Sequence, residues 1–168
     1  MAQLFKYVGP ESIRIQAQSS PAGTRILSAK AARDWFDAHG VGESGWATYV
    51  VNADGELVVA PRRSEHVACA GGAPVLAAGE LRLGPDGMVL EITNNSTGFC
   101  PSESCWPEVE AALSRAGLRH PTELTFLAVF RLCPKCACRN LVKDDWYYCE
   151  VCGADLPRAW NFSAFGGT

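Results

Sequence analysis

The 168-residue chain contains no run of about 18 apolar residues, and this absence argues against a membrane-spanning helix. An excess of positive charge is also missing, because 15 Lys and Arg residues stand against 18 Asp and Glu residues. The resulting net charge of −3 disfavours a protein whose whole surface binds nucleic acid. The opening residues, MAQLFK, lack the charged-then-apolar layout of a secretory signal.

Cysteine, by contrast, is abundant, with eight residues in the chain. Without an export signal, so many cysteines favour reduced thiols and metal binding over disulfides, and we therefore expect a cytoplasmic protein. The apolar fraction of 48% is sufficient to bury a core. The length suits one domain of ordinary size with a small appendage.

Four of the cysteines form the most informative motif, C-x2-C-x12-C-x2-C, near the C-terminus. Each C-x2-C turn aims two sulfurs at one point, and the insert is long enough for a short hairpin that brings the second pair opposite the first. The spacing predicts a tetrahedral, structural Zn²⁺ site with no open position for a substrate. Free thiols or an iron site of the rubredoxin type are the alternatives. The predicted ligands are Cys133, Cys136, Cys149 and Cys152, with Cys138 as a bystander.

Two amphipathic helices are predicted in the remainder of the chain. The first extends from Ala29 to about His39, with Ser28 as its N-cap and Gly40 after its end. The second begins near Trp106 and ends before Gly117.

Apolar runs flanked by turn residues predict two hairpins and one buried strand, whereas residues 4–27 are expected to be irregular or extended. The fold class is therefore α+β, with an antiparallel, partly curled sheet of about five or six strands, two helices and a zinc ribbon. We expect a core domain over residues 1–131 and a ribbon with a C-terminal tail over 132–168. No Ser/Gly linker separates them, so we expect them to be docked. The predicted strands are 48–51, 56–59, 79–83, 88–93 and 124–130.

A cluster around His66 has three interpretations. In the first, His66 hydrogen-bonds to the backbone of a buried turn and the nearby cysteines pack as small apolar groups. In the second, His66 activates Cys69 or Cys100 as a nucleophile. In the third, the same residues and Cys105 form a second zinc site.

The ribbon is nearly neutral, with five basic and four acidic residues between Arg131 and Arg158. Such a surface neutralises few phosphates, which makes nucleic acid an unfavoured partner although aromatic residues could stack on bases. The aromatic side chains instead favour a face that binds another protein. Those expected to contribute are Trp146, Tyr147 and Trp160.

The segment from His66 to Glu80, HVACAGGAPVLAAGE, resembles a pattern found in bacterial toxin-associated modules and plant calmodulin-binding proteins. In that pattern a hairpin and an N-x-S-G-H-Y-x-P loop follow, and here Gly98 stands in place of the histidine. A closer resemblance, through SEHVACAGG, STGFCPSES and KDDWYYCEVCGADLPRAWNF, covers nearly the whole chain and is to a bacterial family without an assigned activity. This resemblance implies a bacterial protein.

We therefore expect a protein-binding adaptor module in a multi-gene bacterial system, such as one concerned with defence or conflict. An enzyme or a small-ligand site in a pocket of His66, Cys69 and Cys100 is the alternative, with His66 as the base and a cysteine as the nucleophile. A nucleic-acid-binding ribbon is a further alternative.

Overall fold

A computed structural model describes residues 2–39 and 44–162. The elements follow the chain in the order α1 (Glu11–Ala17), β1 (Thr24–Ile26), α2 (Ala29–His39), β2 (Trp46–Asn52), β3 (Leu57–Pro61), α3 (His66–Cys69), β4 (Val75–Leu83), β5 (Val89–Ile92), a 3-10 turn (Glu103–Cys105), α4 (Trp106–Arg115), β6 (Val129–Leu132) and β7 (Arg139–Val142).

The central sheet has five strands in the order β1-β3-β2-β4-β5, and every neighbouring pair is antiparallel. Register shifts at Val51/Asn52 and at Arg82/Leu83 interrupt its ladders, and such bulges bend a sheet. The sheet is open, and a separate two-stranded sheet of β6 and β7 belongs to the C-terminal ribbon. The predicted α+β class with an antiparallel sheet is confirmed.

Both predicted helices form because their apolar residues share one face. In α2 the hydroxyl of Ser28 accepts a hydrogen bond from the backbone N–H of Ala31 at 3.0 Å, while Ala32 and Trp35 are buried. In α4 a buried stripe contacts the sheet, and it consists of Val109, Ala112 and Leu113. Gly40, the predicted residue after α2, lies outside the described residues.

Two short helices were not predicted. The expectation of irregular or extended chain over residues 4–27 is wrong at α1, a seven-residue helix in which no residue is buried. Its core-facing side consists of the partly buried Ile13 and Ala17, and so few positions give only a weak helical pattern. The other, α3, is a single turn that contains His66 and Cys69.

The predicted strand over residues 124–130 is wrong in its bounds, because β6 comprises Val129–Leu132. Phe126 and Leu127 are 49% and 48% exposed rather than buried. Hydrogen bonds from side chains, rather than a strand ladder, position this segment. The amide of Asn94 makes two hydrogen bonds to the backbone of Ala128, at 2.6 and 2.9 Å.

Contacts on both sides of the ribbon connect it to the core. Arg131 in β6 is only 2% exposed and donates to the carboxylate of Glu103 at 2.6 Å. The indole N–H of Trp160 donates to the carbonyl oxygen of Cys100 at 2.8 Å, and its ring lies edge-on to Phe5. The predicted domain boundary, between residues 131 and 132, falls within β6.

Across residues 2–39 and 44–162, no helix has the length and apolar content to cross a bilayer.

Candidate functional site

The four cysteines of the C-x2-C pairs converge on one point. Their Sγ atoms all lie within 4.8 Å of one another. Cys133 and Cys152 are separated by 3.5 Å between sulfurs, and Cys136 and Cys149 by 3.6 Å. A disulfide would bring two sulfurs to about 2.05 Å, whereas a tetrahedral shell with Zn–S bonds of about 2.3 Å places them about 3.8 Å apart. The cluster is therefore compatible with a bound metal ion.

Each pair is held by a tight turn that aims N–H groups at its sulfur. The backbone N–H of Cys136 donates to Cys133 Sγ at 3.4 Å, and that of Val151 donates to Cys149 Sγ at the same distance. Ala137 and Gly153 adopt left-handed φ angles of 61° and 76° directly after the turns. Glycine suits the second of these positions because it has no Cβ.

These donors favour the thiolate form of one cysteine in each pair. The backbone N–H of Cys152, helped by Asn140, lowers the pKa of Cys149 to about 6. The backbone N–H of Cys136 similarly lowers the pKa of Cys133. Four sulfurs cannot all be anionic at this separation without a cation between them, since like charges oppose ionisation. A positive ion at the centre removes that conflict.

Asn140, which sequence reasoning missed, joins the two turns from strand β7. It is buried, and its Nδ2 donates to Cys149 Sγ at 3.5 Å and to the carbonyl oxygen of Cys138 at 3.1 Å. Its Oδ1 accepts from the backbone N–H of Glu150 at 3.0 Å. The only signal in the sequence is a lone amide inside an apolar strand. Cys138 itself is not part of the sulfur cluster, and its Sγ contacts the carbonyl oxygen of Arg139.

A closed set of four sulfurs does chemistry of a limited kind. It can hold a divalent ion without leaving an open coordination position, as structural metal sites do. Thiolates suit both zinc and iron, so the donor set alone does not select between them. Within the described ranges 2–39 and 44–162, no other His, Cys, Asp or Glu side chains form a comparable group.

His66 is occupied by a backbone contact. Its Nε2 lies 2.8 Å from the carbonyl oxygen of Gly79. Because a carbonyl only accepts, Nε2 carries the proton in this contact. Burial lowers the pKa of His66, so the ring is neutral near pH 7.

The candidate nucleophiles do not meet His66. Cys69 donates its S–H to the carbonyl oxygen of Val58 at 3.7 Å, and Cys100 donates to that of Thr97 at 3.4 Å. Cys69 lies in the main core, whereas Cys100 lies in a second buried cluster with Phe130 and Phe162. Burial raises the pKa of both thiols to about 12, which leaves almost no thiolate at neutral pH.

Cys105 is buried in the main core, where burial likewise raises its pKa to about 12. The arrangement of these residues thus fits the interpretation of a buried turn with packed thiols. It supplies neither a Cys–His hydrogen bond nor a second group of metal ligands in the described part of the chain.

Gly98 stands where the resembling pattern has a histidine. A Cβ atom at this position would lie 2.9 Å from Cε1 of Tyr7, closer than real side chains allow. The ring of Tyr7 therefore fills the space that a side chain at position 98 would need. A histidine at position 98 would therefore require the ring of Tyr7 to move.

The aromatic residues of the ribbon divide into exposed and packed ones. Trp146 and Tyr148 are 66% and 44% exposed, with ring centroids 4.9 Å apart. Tyr147 instead lies under the guanidinium of Arg158, which is 4.2 Å from the ring centroid. Trp160 is partly buried against Phe5, so Trp146 alone of the three predicted contact residues is strongly exposed.

Comparison of the chain with protein-family models, with curated proteins and with solved structures finds no match in any of the three.

Proposed function

We propose that this chain is a protein-binding adaptor whose binding surface is carried by a ribbon that a structural zinc ion holds together. The observation that carries the proposal is the convergence of four sulfurs within 4.8 Å at the base of a segment that exposes paired aromatic rings. We infer that such an adaptor belongs to a multi-gene system, that it is bacterial, as the sequence resemblance implies, and that it acts in the cytoplasm, where its many cysteines would stay reduced.

Zinc is favoured because the site is closed and because the ribbon is too small to fold alone. Its own buried cluster contains only Cys133, Cys149 and Leu156. A segment with so little buried apolar surface requires metal binding for stability, and structural zinc contributes on the order of 10 kcal/mol in small modules.

An exposed apolar patch supplies the protein-binding part of the proposal. It consists of Trp146 and Tyr148, and Val151, three residues after Tyr148 in sequence, is also 70% exposed. Between the two rings and strand β7 lies a shallow cleft of about 90 Å³. Aromatic side chains beside a small pocket are typical anchors of protein interfaces, since they bury much surface on binding. Asp144 and Asp145 flank the patch in sequence and disfavour nucleic acid as the partner.

The metal content of the purified protein tests whether zinc holds the ribbon together. Elemental analysis of the purified protein should find one zinc ion per chain. Cys149→Ser should lose the ion, whereas Cys138→Ser, the matched control outside the cluster, should retain it. A metal-free protein with an intact ribbon, or stoichiometric iron, would contradict the proposal.

Affinity capture from the native host tests whether the ribbon surface binds a partner protein. The double variant Trp146→Ala/Tyr148→Ala should no longer recover the partner that the unmodified protein recovers. Phe126→Ala removes an equally exposed ring outside the ribbon and should leave recovery unchanged. If zinc-loaded protein recovers no partner, or if both variants behave alike, the ribbon surface is not the binding site.

A further inference from the structure

A cleft of about 460 Å³ lies between α1, α2, β3 and α3, and none of its lining residues belongs to the ribbon. It is also distinct from the predicted pocket of His66, Cys69 and Cys100, since none of these lines it. Its size is in the range of small-molecule sites, about 300–1,000 Å³.

The floor of the cleft is apolar and rigid. Trp35 of α2 is 8% exposed, and Val59 and Ala60 of β3 and Ala68 of α3 are buried more deeply. These side chains belong to regular elements of the core, so the floor is formed before any ligand arrives. A flat apolar floor of this kind favours a ligand with an apolar body.

One wall is fixed by Gly23. Its backbone N–H donates to the carbonyl oxygen of Cys69 at 3.0 Å. A Cβ at this position would lie 2.7 Å from Val58 Cγ1 and 2.8 Å from Cys69 Sγ, so only glycine permits this close approach. The loop before β1 is thereby held against α3, which keeps the cleft in shape.

Polar side chains also line the cleft, and Glu65 is an exposed carboxylate among them. The others are Gln16, Ser20, Thr24, His39, Arg63 and Ser64, of which His39 stacks on the ring of Trp35. Glu65 precedes α3 but its side chain does not cap that helix. Within residues 2–39 and 44–162 its carboxylate makes no hydrogen bond and no ion pair. The amide of Gln16, which also lines the cleft, offers a further acceptor. A carboxylate at the edge of an apolar cleft is complementary to an ammonium group attached to an apolar body.

We propose that this cleft binds a primary amine with an apolar body, whose ammonium group pairs with Glu65 while the body covers Trp35 and Ala60. This site is independent of the ribbon and of its proposed partner. Because Arg63 also lines the cleft, the test includes an anionic probe.

Three probes of nearly the same shape separate the contributions of charge and of the apolar body. The zinc-loaded full chain is titrated with 2-phenylethylamine, 2-phenylethanol and 3-phenylpropanoate, followed by calorimetry and by the indole N–H signals in NMR. The amine should bind about tenfold tighter than the alcohol, because a charge-assisted hydrogen bond is added. The indole signal of Trp35, assigned with Trp35→Phe, should shift on titration.

Glu65→Gln should reduce the affinity for the amine to that for the alcohol, while Glu110→Gln on α4 serves as the matched control and should change nothing. A short peptide with one lysine, titrated in parallel, distinguishes the two sources of this chemistry. Tighter binding of the peptide assigns the site to a protein side chain, and tighter binding of the free amine assigns it to a metabolite.

Several results would overturn the proposal. One is equal affinity for amine and alcohol, and another is preference for the carboxylate. Unchanged binding in Glu65→Gln, an unmoved Trp35 signal, or no saturation by about 10 mM amine would do the same.

Discussion

Replacing Arg131 by methionine should be among the most damaging single changes outside the sulfur cluster. Methionine keeps an unbranched apolar stem of similar length and removes only the guanidinium. The group it removes is 2% exposed and lies on β6, two residues before Cys133, the first cysteine of the sulfur cluster. The change therefore tests whether the ribbon is fastened to the core at this point.

The expected loss in the free energy of unfolding follows from the contacts that Arg131→Met would remove. The guanidinium donates to Glu103 Oε1 at 2.6 Å, to the carbonyl oxygen of Phe130 at 2.7 Å and to that of Pro157 at 3.1 Å, and it also contacts the carbonyl of Arg158. Removing one partner of a buried ion pair costs about 3–5 kcal/mol. The side chain of Glu103 is 26% exposed and can be partly rehydrated. We therefore expect a loss near the lower end, about 3 kcal/mol.

Urea unfolding of the zinc-loaded, reduced protein, followed by tryptophan fluorescence, measures this loss. Glu103→Gln should cost about 2 kcal/mol, because the buried guanidinium keeps a hydrogen-bond acceptor but loses its counter-charge. Arg158→Met is the matched control. Its guanidinium is exposed and only stacks on Tyr147, so it should cost less than about 1 kcal/mol. If Arg131→Met unfolds within about 1 kcal/mol of the unmodified protein, the reasoning is refuted.

Three further outcomes follow from other contacts. Burial lowers the pKa of His66 below its ordinary 6.5, so the unfolded chain binds more protons and stability should fall as the pH drops below about 6.5; His66→Gln should flatten the dependence of the urea midpoint on pH. In the zinc-loaded protein, mass spectrometry after iodoacetamide at pH 7.5 should find Cys138 modified well before the three thiols whose pKa burial raises to about 12. These three thiols are Cys69, Cys100 and Cys105. Gly79→Ala should prevent folding, since its Cβ would lie 2.0 Å from the carbonyl oxygen of Thr93. Gly72→Ala, with open space but a φ of 81°, should cost only about 1–2 kcal/mol by thermal melting.

The elements that could be predicted from the sequence are those defined by local patterns. The helix Ala29–His39 was predicted at the bounds that α2 has, because Ser28 caps it and its apolar residues recur at helical spacing. The hairpin of β2 and β3 follows from the turn residues between two apolar runs. In both cases the information lies within a dozen residues of the element itself.

What could not be predicted depends on partners distant in sequence. The apolar run 124–130 has the composition of a buried strand, yet its path is set by Asn94, more than thirty residues earlier. Its apolar side chains at Phe126 and Leu127 consequently face outward. The helix α1 is short and turns only two partly buried residues, Ile13 and Ala17, to the core, so the periodicity on which a helix prediction depends is weak.

The candidate site also divides into features that local sequence predicts and features that depend on distant residues. The cysteine spacing predicted which four sulfurs would meet, since two tight turns and a hairpin are local geometry. Asn140 was missed because one amide in a strand does not reveal which thiolate it will contact. The cysteines near His66 looked like a reactive set by sequence proximity, but burial and separate packing clusters, which a sequence does not display, keep their thiols protonated.

The connection of the ribbon to the core determines how its aromatic patch could serve an adaptor. The backbone of Leu132, which directly precedes Cys133, makes two hydrogen bonds with the side chain of Asn161, at 2.8 and 2.7 Å. These bonds join the segment before the first C-x2-C turn to the segment after the second turn. The sulfur cluster joins the two turns themselves. A ribbon closed at both ends cannot rotate about a single linker. Together with the hydrogen bonds of Arg131 to Glu103 and of Trp160 to Cys100, this clamp fixes the backbone of the ribbon relative to the sheet. If the patch binds a partner as proposed, that backbone is ordered before binding, which lowers the entropic cost of association.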